Sequence, residues 1–344
     1  MSKSIQHILV IRLSAMGDVA MSVPVISAFV SCNPTVRVTV LTRAFFSPFF
    51  EDIPNVSVFA PDLKATHKGF LGIRRLAKEL SELKIDAVAD FHDVLRSNIL
   101  IQLLRLKGVP FKQIDKGRAE KKALTRATKK VFRPLKTTHS RYAQVFKELG
   151  FQLDLSACIK PVKHTLAPAI WQYIGDTEKQ LIGVAPFAAH KGKMYPLKEM
   201  EQVIEKLSKN YHVLLFGGGK DEREALEKIA AKHSNVVNVA GQFSFKEELA
   251  IISNLNLMLA MDSSNGHLAA MYGVKVITIW GATHPYAGFA PFNQPEANQI
   301  LPDLTKYPLI PTSIYGNKCP ESYLDCFETI SVNDVVSKIE NALK

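Results

Sequence analysis

Residues 255–285, LNLMLAMDSSNGHLAAMYGVKVITIWGATHP, constrain the fold of this chain more than any other stretch. An apolar run ends in Asp262; a polar turn, a helix of small residues and Gly273 follow, and a second apolar run closes at Gly281. A strand, a ten-residue helix and another strand make a right-handed βαβ crossover, so the turn DSSNG belongs at a strand's carboxyl end. Open α/β sheets bind ligands there. Ser263, Ser264, Asn265 and Gly266 present backbone N–H groups and hydroxyls where a helix opens, a place of partial positive charge that suits a phosphate. The turn reads as a cradle for the diphosphate of a nucleotide donor.

The remaining sequence repeats this grammar. Residues 7–13, 36–41, 56–59 and 87–91 read as strands, and 19–30, 70–83 and 95–106 as helices, with Pro24 expected in an early helical turn. After a proline-marked connection at 156–180, strands are expected at 181–185, 212–216 and 236–239. Helices open at Pro196, Arg223 and Phe245, and residues 332–343 form a last helix. With 344 residues, 47% of them hydrophobic, the chain can bury two cores. The expected class is α/β, two Rossmann-like domains facing a cleft, the first over 1–160 and the second over 175–325. The apolar run at 8–11 is too short for a signal-peptide core, so the expected location is cytoplasmic. Four cysteines without a CxxC pair imply neither a zinc site nor a disulfide framework.

Charge is concentrated. Segment 105–141 holds thirteen Lys and Arg against Asp115 and Glu120, a balance of +11 that equals the formal net charge of the whole chain. A solvated helix face mixes both signs, so this excess points to a polyanion: nucleic acid, an anionic membrane or a phosphorylated glycolipid. Apolar residues anchor only part of the segment, which reads as an excursion from the first domain.

Several chemistries drop out. Neither domain opens on G-x-G-x-x-G, and Gly217-Gly218-Gly219 lacks the later glycine, which argues against a nicotinamide dehydrogenase. No G-x-x-x-x-G-K-[ST] occurs, so a P-loop is absent. No Asp-x-Asp occurs, so a metal-bridged diphosphate has no obvious ligands, and none is expected. A metal-free site needs cations and helix N-termini; Lys191 and Lys193, in the turn after the 181–185 strand, are candidates to pair with a departing diphosphate.

The combination ILVIRLSAMGDVAMSVPVISAF, APFAAHKGKMYP, LLFGGGKDE and MDSSNGHLAAMYGVKVITIWGATHP resembles, in order and spacing, the ADP-heptose:lipopolysaccharide heptosyltransferases. The resemblance covers nearly the whole chain. It implies the GT-B fold, an acceptor-binding first domain, a second domain for the sugar nucleotide, and a terminal helix (331–344) that packs back on the first. It also implies a metal-independent, inverting transfer of heptose from ADP-heptose to the phosphorylated inner core of lipopolysaccharide, with no cofactor, by a protein peripheral at the inner membrane.

The resemblance also assigns residues. Asp18 becomes the general base that takes the acceptor hydroxyl's proton, although from its turn alone it reads equally as a helix N-cap. Ser14 lies near sugar and diphosphate, and Lys193 holds phosphates. Glu222 accepts ribose hydroxyls, or complements a helix N-terminus. Asp262, Ser263, Ser264, Gly266 and His267 match D-[ST]-G-x-x-H, except that Ser264 stands where the family has glycine; Met194 stands where a basic residue is usual. Lys121, Lys122, Arg126, Lys129 and Lys130 are expected to grip acceptor phosphates at the membrane face. The alternatives are a GT-B transferase with another nucleotide sugar, and a nucleic-acid-binding protein, for which segment 105–141 offers only Phe111 and Phe132 as stacking aromatics.

Overall fold

A computed structural model describes residues 5–159, 161–175 and 178–344. Residues 1–4, 160, 176 and 177, including Lys160 at the expected end of the first domain, lie outside the described residues. The chain divides into two compact units, Met1–Lys116 with Thr138–Lys160, and Gly117–Thr137 with Pro161–Lys344.

The first unit is built from β1 (His7–Ile11), α1 (Met16–Cys32), β2 (Arg37–Leu41), β3 (Val56–Phe59), α2 (Gly69–Glu82), β4 (Ala87–Asp90), α3 (Leu95–Arg105) and β5 (Phe111–Gln113). Helix α4 (Arg118–Leu124) belongs to the second unit, and α5 (Thr138–Glu148) returns to the first. All strand pairs are parallel, in the order β3-β2-β1-β4-β5, with Ile8 against both Val38 and Ala87. The chain leaves β1 in one direction and resumes at β4 on its other side, so the topological switch point lies between the carboxyl ends of β1 and β4. Apolar residues fill both faces, as a parallel sheet requires: Leu9, Ile11 and Val88 pack with Ile73, Leu76 and Leu104 of the covering helices. Helix α1 starts earlier than expected, so Pro24 falls mid-helix, not in an early turn. The carbonyl of Ala20 loses its usual donor there, and burial of every residue from 19 to 30 compensates.

The second unit continues with α6 (Pro168–Ile174), β6 (Leu181–Ala185), α7 (Leu197–Ser208), β7 (His212–Leu215), α8 (Lys220–Ala230), β8 (Val236–Asn238), α9 (Phe245–Ser253), β9 (Leu257–Met261), α10 (Ser264–Met271), β10 (Lys275–Ile279), β11 (Gln299–Ile300) and α11 (Val332–Leu343). Its parallel sheet has the order β11-β10-β9-β6-β7-β8, which puts the switch point between β6 and β9. The crossover from β9 through α10 to β10 is the one expected from residues 255–285.

Two segments differ from the expected organisation. Residues 117–137 are not an excursion of the first unit: Leu124 and Leu135 are buried against Ala287, with Tyr286 and Phe289 packed around them, in the second. The terminal helix is part of the second unit. Val335 and Ile339 are fully buried in the second unit's core, and α11 lies along α7 with contacts to β9 and β10. No helix among the described residues is long and apolar enough to cross a membrane.

Candidate active site

In the first unit the polar residues gather at the β1–β4 switch point. Arg12 follows the last residue of β1 and is buried, its Nη1 donating to the Phe91 carbonyl at 2.7 Å and its Nη2 lying 2.5 Å from Asp18 Oδ2. Asp18 is the third residue of α1; Ala15, not Asp18, is the N-cap, and its N–H also donates to Oδ2 at 3.3 Å. The expected capping contribution is therefore present but shifted in register. Oδ1 carries no hydrogen bond among the described residues, and the Asp18 side chain is 28% exposed, so one carboxylate oxygen faces outward while the other is held. Tyr142 completes the support: its hydroxyl donates to the Asp18 carbonyl at 3.2 Å, and its ring stacks on Phe91.

Ser14 Oγ lies 3.5 Å from His92 Nε2 across the switch point. Burial first, then the charges of Arg12 and Lys116, push the His92 imidazole down to about 4, so it is neutral near pH 7. The turn that carries it is organised by fully buried Asp90, which accepts from His92 N, Asp93 N, Ser97 Oγ and Gln113 Nε2. A buried carboxylate with this many donors is satisfied without a cation.

In the second unit the switch point carries an ion pair. The turn after β6 tightens into a short 3-10 turn at Lys191–Lys193, and Lys193 Nζ lies 2.9 Å from Asp262 Oδ2. Thr283 Oγ1 donates to the same oxygen at 2.8 Å. Lys191 is exposed and half-buried Met194 closes the turn. The turn is pinned to the end of β10, where Ala282 N donates to the Gly192 carbonyl at 2.7 Å. Gly281 permits this approach, because a Cβ there would stand 2.4 Å from that carbonyl oxygen.

The cradle is laid out as a helix opening. Ser263 is the N-cap of α10, in extended backbone, and its buried Oγ has no hydrogen-bond partner among the described residues. Ser264 is the first helical residue and is not among the positive-φ positions, so replacing the family glycine strains nothing here. Gly266 lies inside α10, where a Cβ would meet Pro291 and Val276 at an ordinary 3.5 Å; His267 is buried one residue on. Glu222, the third residue of α8, accepts from Gly218 N at 2.8 Å, which ties the carboxylate to the glycine turn after β7.

The five expected acceptor cations divide. Lys121 is buried with its ammonium 4.4 Å from the Phe289 ring centroid. Lys130 donates to the Leu309 and Pro311 carbonyls at 2.7 and 2.9 Å, and burial lowers its ammonium to about 8. These two fasten segment 117–137 to its own unit, whereas Lys122, Arg126 and Lys129 are exposed. Phe132 packs on His284 and Tyr286, and Phe111 lies in β5.

Sequence reasoning missed Arg12, His92, Tyr142, Thr283 and Gly316. Arg12 and His92 had a signal, since Arg12 directly follows β1 and His92 comes two residues after β4, both at a strand's carboxyl end. Gly316 had none: at φ +81° it lies behind Lys193, and a Cβ there would stand 2.3 Å from Lys193 Cδ.

Residues 73–308 match the family model of glycosyltransferase family 9 (heptosyltransferase). Lipooligosaccharide heptosyltransferase 2 of Campylobacter jejuni is 24% identical over 338 residues, covering 96% of each chain. A glycosyl transferase family 9 structure from Veillonella parvula superposes with a TM-score of 0.75 at 18% identity, covering 100% of this chain and 98% of that one. The structure of Escherichia coli ADP-heptose lps heptosyltransferase II gives 0.68 at 18% identity, covering 98% of both. Two parallel α/β units and these superpositions bear out the expected GT-B fold.

Proposed function

Because the chain belongs to glycosyltransferase family 9, the heptosyltransferase family, we propose that it transfers heptose from ADP-heptose to the inner core of lipopolysaccharide. The E. coli protein is an ADP-heptose lps heptosyltransferase and the C. jejuni relative a lipooligosaccharide heptosyltransferase, which supports this donor and this acceptor class. The observation that carries the reading is the Lys193–Asp262 pair at 2.9 Å beside the N-terminus of α10, a cation and a helix opening placed together at a sheet switch point.

The reaction in this reading is a single displacement without a metal or cofactor. Asp18 takes the acceptor hydroxyl's proton through Oδ1 while Arg12 and Ala15 N–H hold Oδ2. The freed oxygen attacks the anomeric carbon from the face opposite the diphosphate, the bond to the diphosphate breaks, and the configuration inverts. Negative charge grows on the leaving ADP, where Lys193 and the N–H groups opening α10 stabilise it more in the transition state than in the ground state. Ser263 Oγ, buried without a partner among the described residues, supplies one further donor. Ser14 serves the sugar side and Glu222 the ribose. Asp262 positions Lys193, and Gly266 and His267 complete the helix that carries the cradle.

The exposed cations Lys122, Arg126 and Lys129 bind acceptor phosphates, with Lys121 and Lys130 holding their segment in place. The protein works in the cytoplasm, peripheral to the inner membrane, and no nucleic-acid partner is proposed. Turnover of ADP-heptose, set against UDP- and GDP-sugars on a phosphorylated inner-core acceptor, tests the reading. Absence of turnover with ADP-heptose overturns it.

A further inference from the structure

The turn after β4 is fixed more heavily than its length requires. Fully buried Asp90 accepts from His92 N, Ser97 Oγ and Gln113 Nε2, each at 2.9 Å, and Lys116 Nζ donates to the Asp93 carbonyl at 2.8 Å. Asp93 itself stands at φ +44°. A non-glycine residue held in the left-handed region by such a network marks a turn kept for the group it presents. That group is the His92 imidazole. It is buried, its Nδ1 makes no hydrogen bond among the described residues, and its Nε2 lies 3.5 Å from Ser14 Oγ.

These surroundings decide where the ring carries its proton. Burial and the charges of Arg12, Lys116 and Arg43 outweigh that of Asp18 and keep the imidazole neutral near pH 7, with a single N–H. On Nδ1 that proton would be a buried donor with no acceptor. On Nε2 it meets Ser14 Oγ and leaves only a bare lone pair at Nδ1, and buried acceptors go unpaired more readily than buried N–H groups. Nε2 is therefore the donor and Ser14 Oγ the acceptor. The Ser14 hydroxyl then keeps its own proton for another partner; Ser14 Oγ has no second hydrogen bond among the described residues and is only half-buried. With the opposite tautomer Ser14 would spend its proton on Nε2 and offer a ligand nothing but lone pairs.

We propose that His92 is a positioning residue: it donates from Nε2 to Ser14 Oγ and thereby commits the Ser14 hydroxyl to donate to a substrate oxygen at the β1–β4 switch point. The inference rests on the heptosyltransferase reading in one respect, that this oxygen belongs to the sugar side of the transfer. The 3.5 Å contact is long. It shortens when a bound oxygen takes the Ser14 proton, because Oγ then carries more negative charge towards Nε2–H.

Long-range proton–nitrogen NMR correlation on the full chain reads the tautomer directly, the His92 ring being identified by its loss in His92→Gln. The proton is expected on Nε2, with a nitrogen shift that moves in Ser14→Ala. Turnover supplies a second readout, because a Gln amide nitrogen reaches about as far as Nε2 whereas an Asn amide reaches only as far as Nδ1. His92→Asn should lower kcat/KM for ADP-heptose by about tenfold, the worth of one hydrogen bond, and His92→Gln should recover to within about threefold of the wild type. In a Ser14→Ala background His92→Asn should cost nothing further. A loss of packing alone would neither follow the reach of the donor nor vanish in that background. A proton on Nδ1, an Nε2 shift unmoved by Ser14→Ala, a Gln variant as impaired as the Asn variant, or additive losses would each overturn the proposal. Should the His92 variants fail to fold, the wild-type and Ser14→Ala spectra decide it. Absence of ADP-heptose turnover in the wild type sinks the enzymatic reading instead, and the same two spectra still decide whether His92 directs the Ser14 proton.

Discussion

Asp262 holds Lys193 from below, with Oδ2 2.9 Å from the ammonium and 2.8 Å from the Thr283 hydroxyl. The two side chains are 9% and 13% exposed, so the pair is desolvated and each charge depends on the other. Lys193→Met should lose turnover and also destabilise the protein by about 3 kcal/mol, because a buried carboxylate is left with one hydroxyl. Adding Asp262→Asn should recover most of that stability and none of the activity. Urea unfolding of the single and double variants measures the coupling; a double variant no more stable than Lys193→Met would mean that the pair is not the reason for the loss.

Asp18 is expected to separate chemistry from binding. Asp18→Asn keeps the contact from Ala15 N–H and the size of the side chain while removing the base. Turnover should fall by about 10²–10⁴ with the donor's dissociation constant within a factor of a few. Near-normal turnover would reduce Asp18 to the helix-end role its register also allows.

Much of this was legible in the sequence, for reasons specific to a parallel sheet. Strands buried on both faces write themselves as unbroken apolar runs, so HILVI, LIGVA, LMLAM and VITI announce β1, β6, β9 and β10, and the turn that follows a run lies at the ligand-facing edge. Asp262, Lys193 and Ser14 could be found by that rule. Where a segment docks could not: Leu124 and Leu135 declare an apolar side but not which unit receives it, and Val335 and Ile339 suit a core in either. Thr283 stands 21 residues from Asp262, and Gly316 meets Lys193 from a far later loop, so nothing local distinguishes either from an ordinary loop residue.

Gly316 is expected to matter although it bears no side chain. Its φ of +81° disfavours any other residue, and an added Cβ would stand 2.3 Å from Lys193 Cδ and 2.4 Å from Cγ. Gly316→Ala should cost about 1–2 kcal/mol in stability and push the lysine off its track, raising the donor's KM. Ser313→Ala, which removes the hydroxyl that accepts from Gly316 N at 3.0 Å, should weaken donor binding in the same direction without a steric clash. Donor binding untouched in both variants would show that the loop does not set the lysine's position.

Stability should fall on mild acidification, and two histidines give the window. Burial, with Arg12 for His92 and Lys130 for His284, pushes both imidazoles down to about 4 from 6.5. Between those values the unfolded chain binds protons that the folded chain refuses, so stability present above about pH 6.5 is lost as the pH falls towards 4 and the loss levels off below it. Each group contributes up to about 2 kcal/mol after allowance for solvent screening. His284 Nδ1 also accepts from Tyr286 N at 3.1 Å, a bond that protonation destroys. Melting temperatures between pH 7 and pH 4 should therefore drop more steeply for the wild type than for His92→Gln with His284→Gln, since the amides carry no proton to refuse. Parallel curves would place the acid sensitivity outside these two histidines.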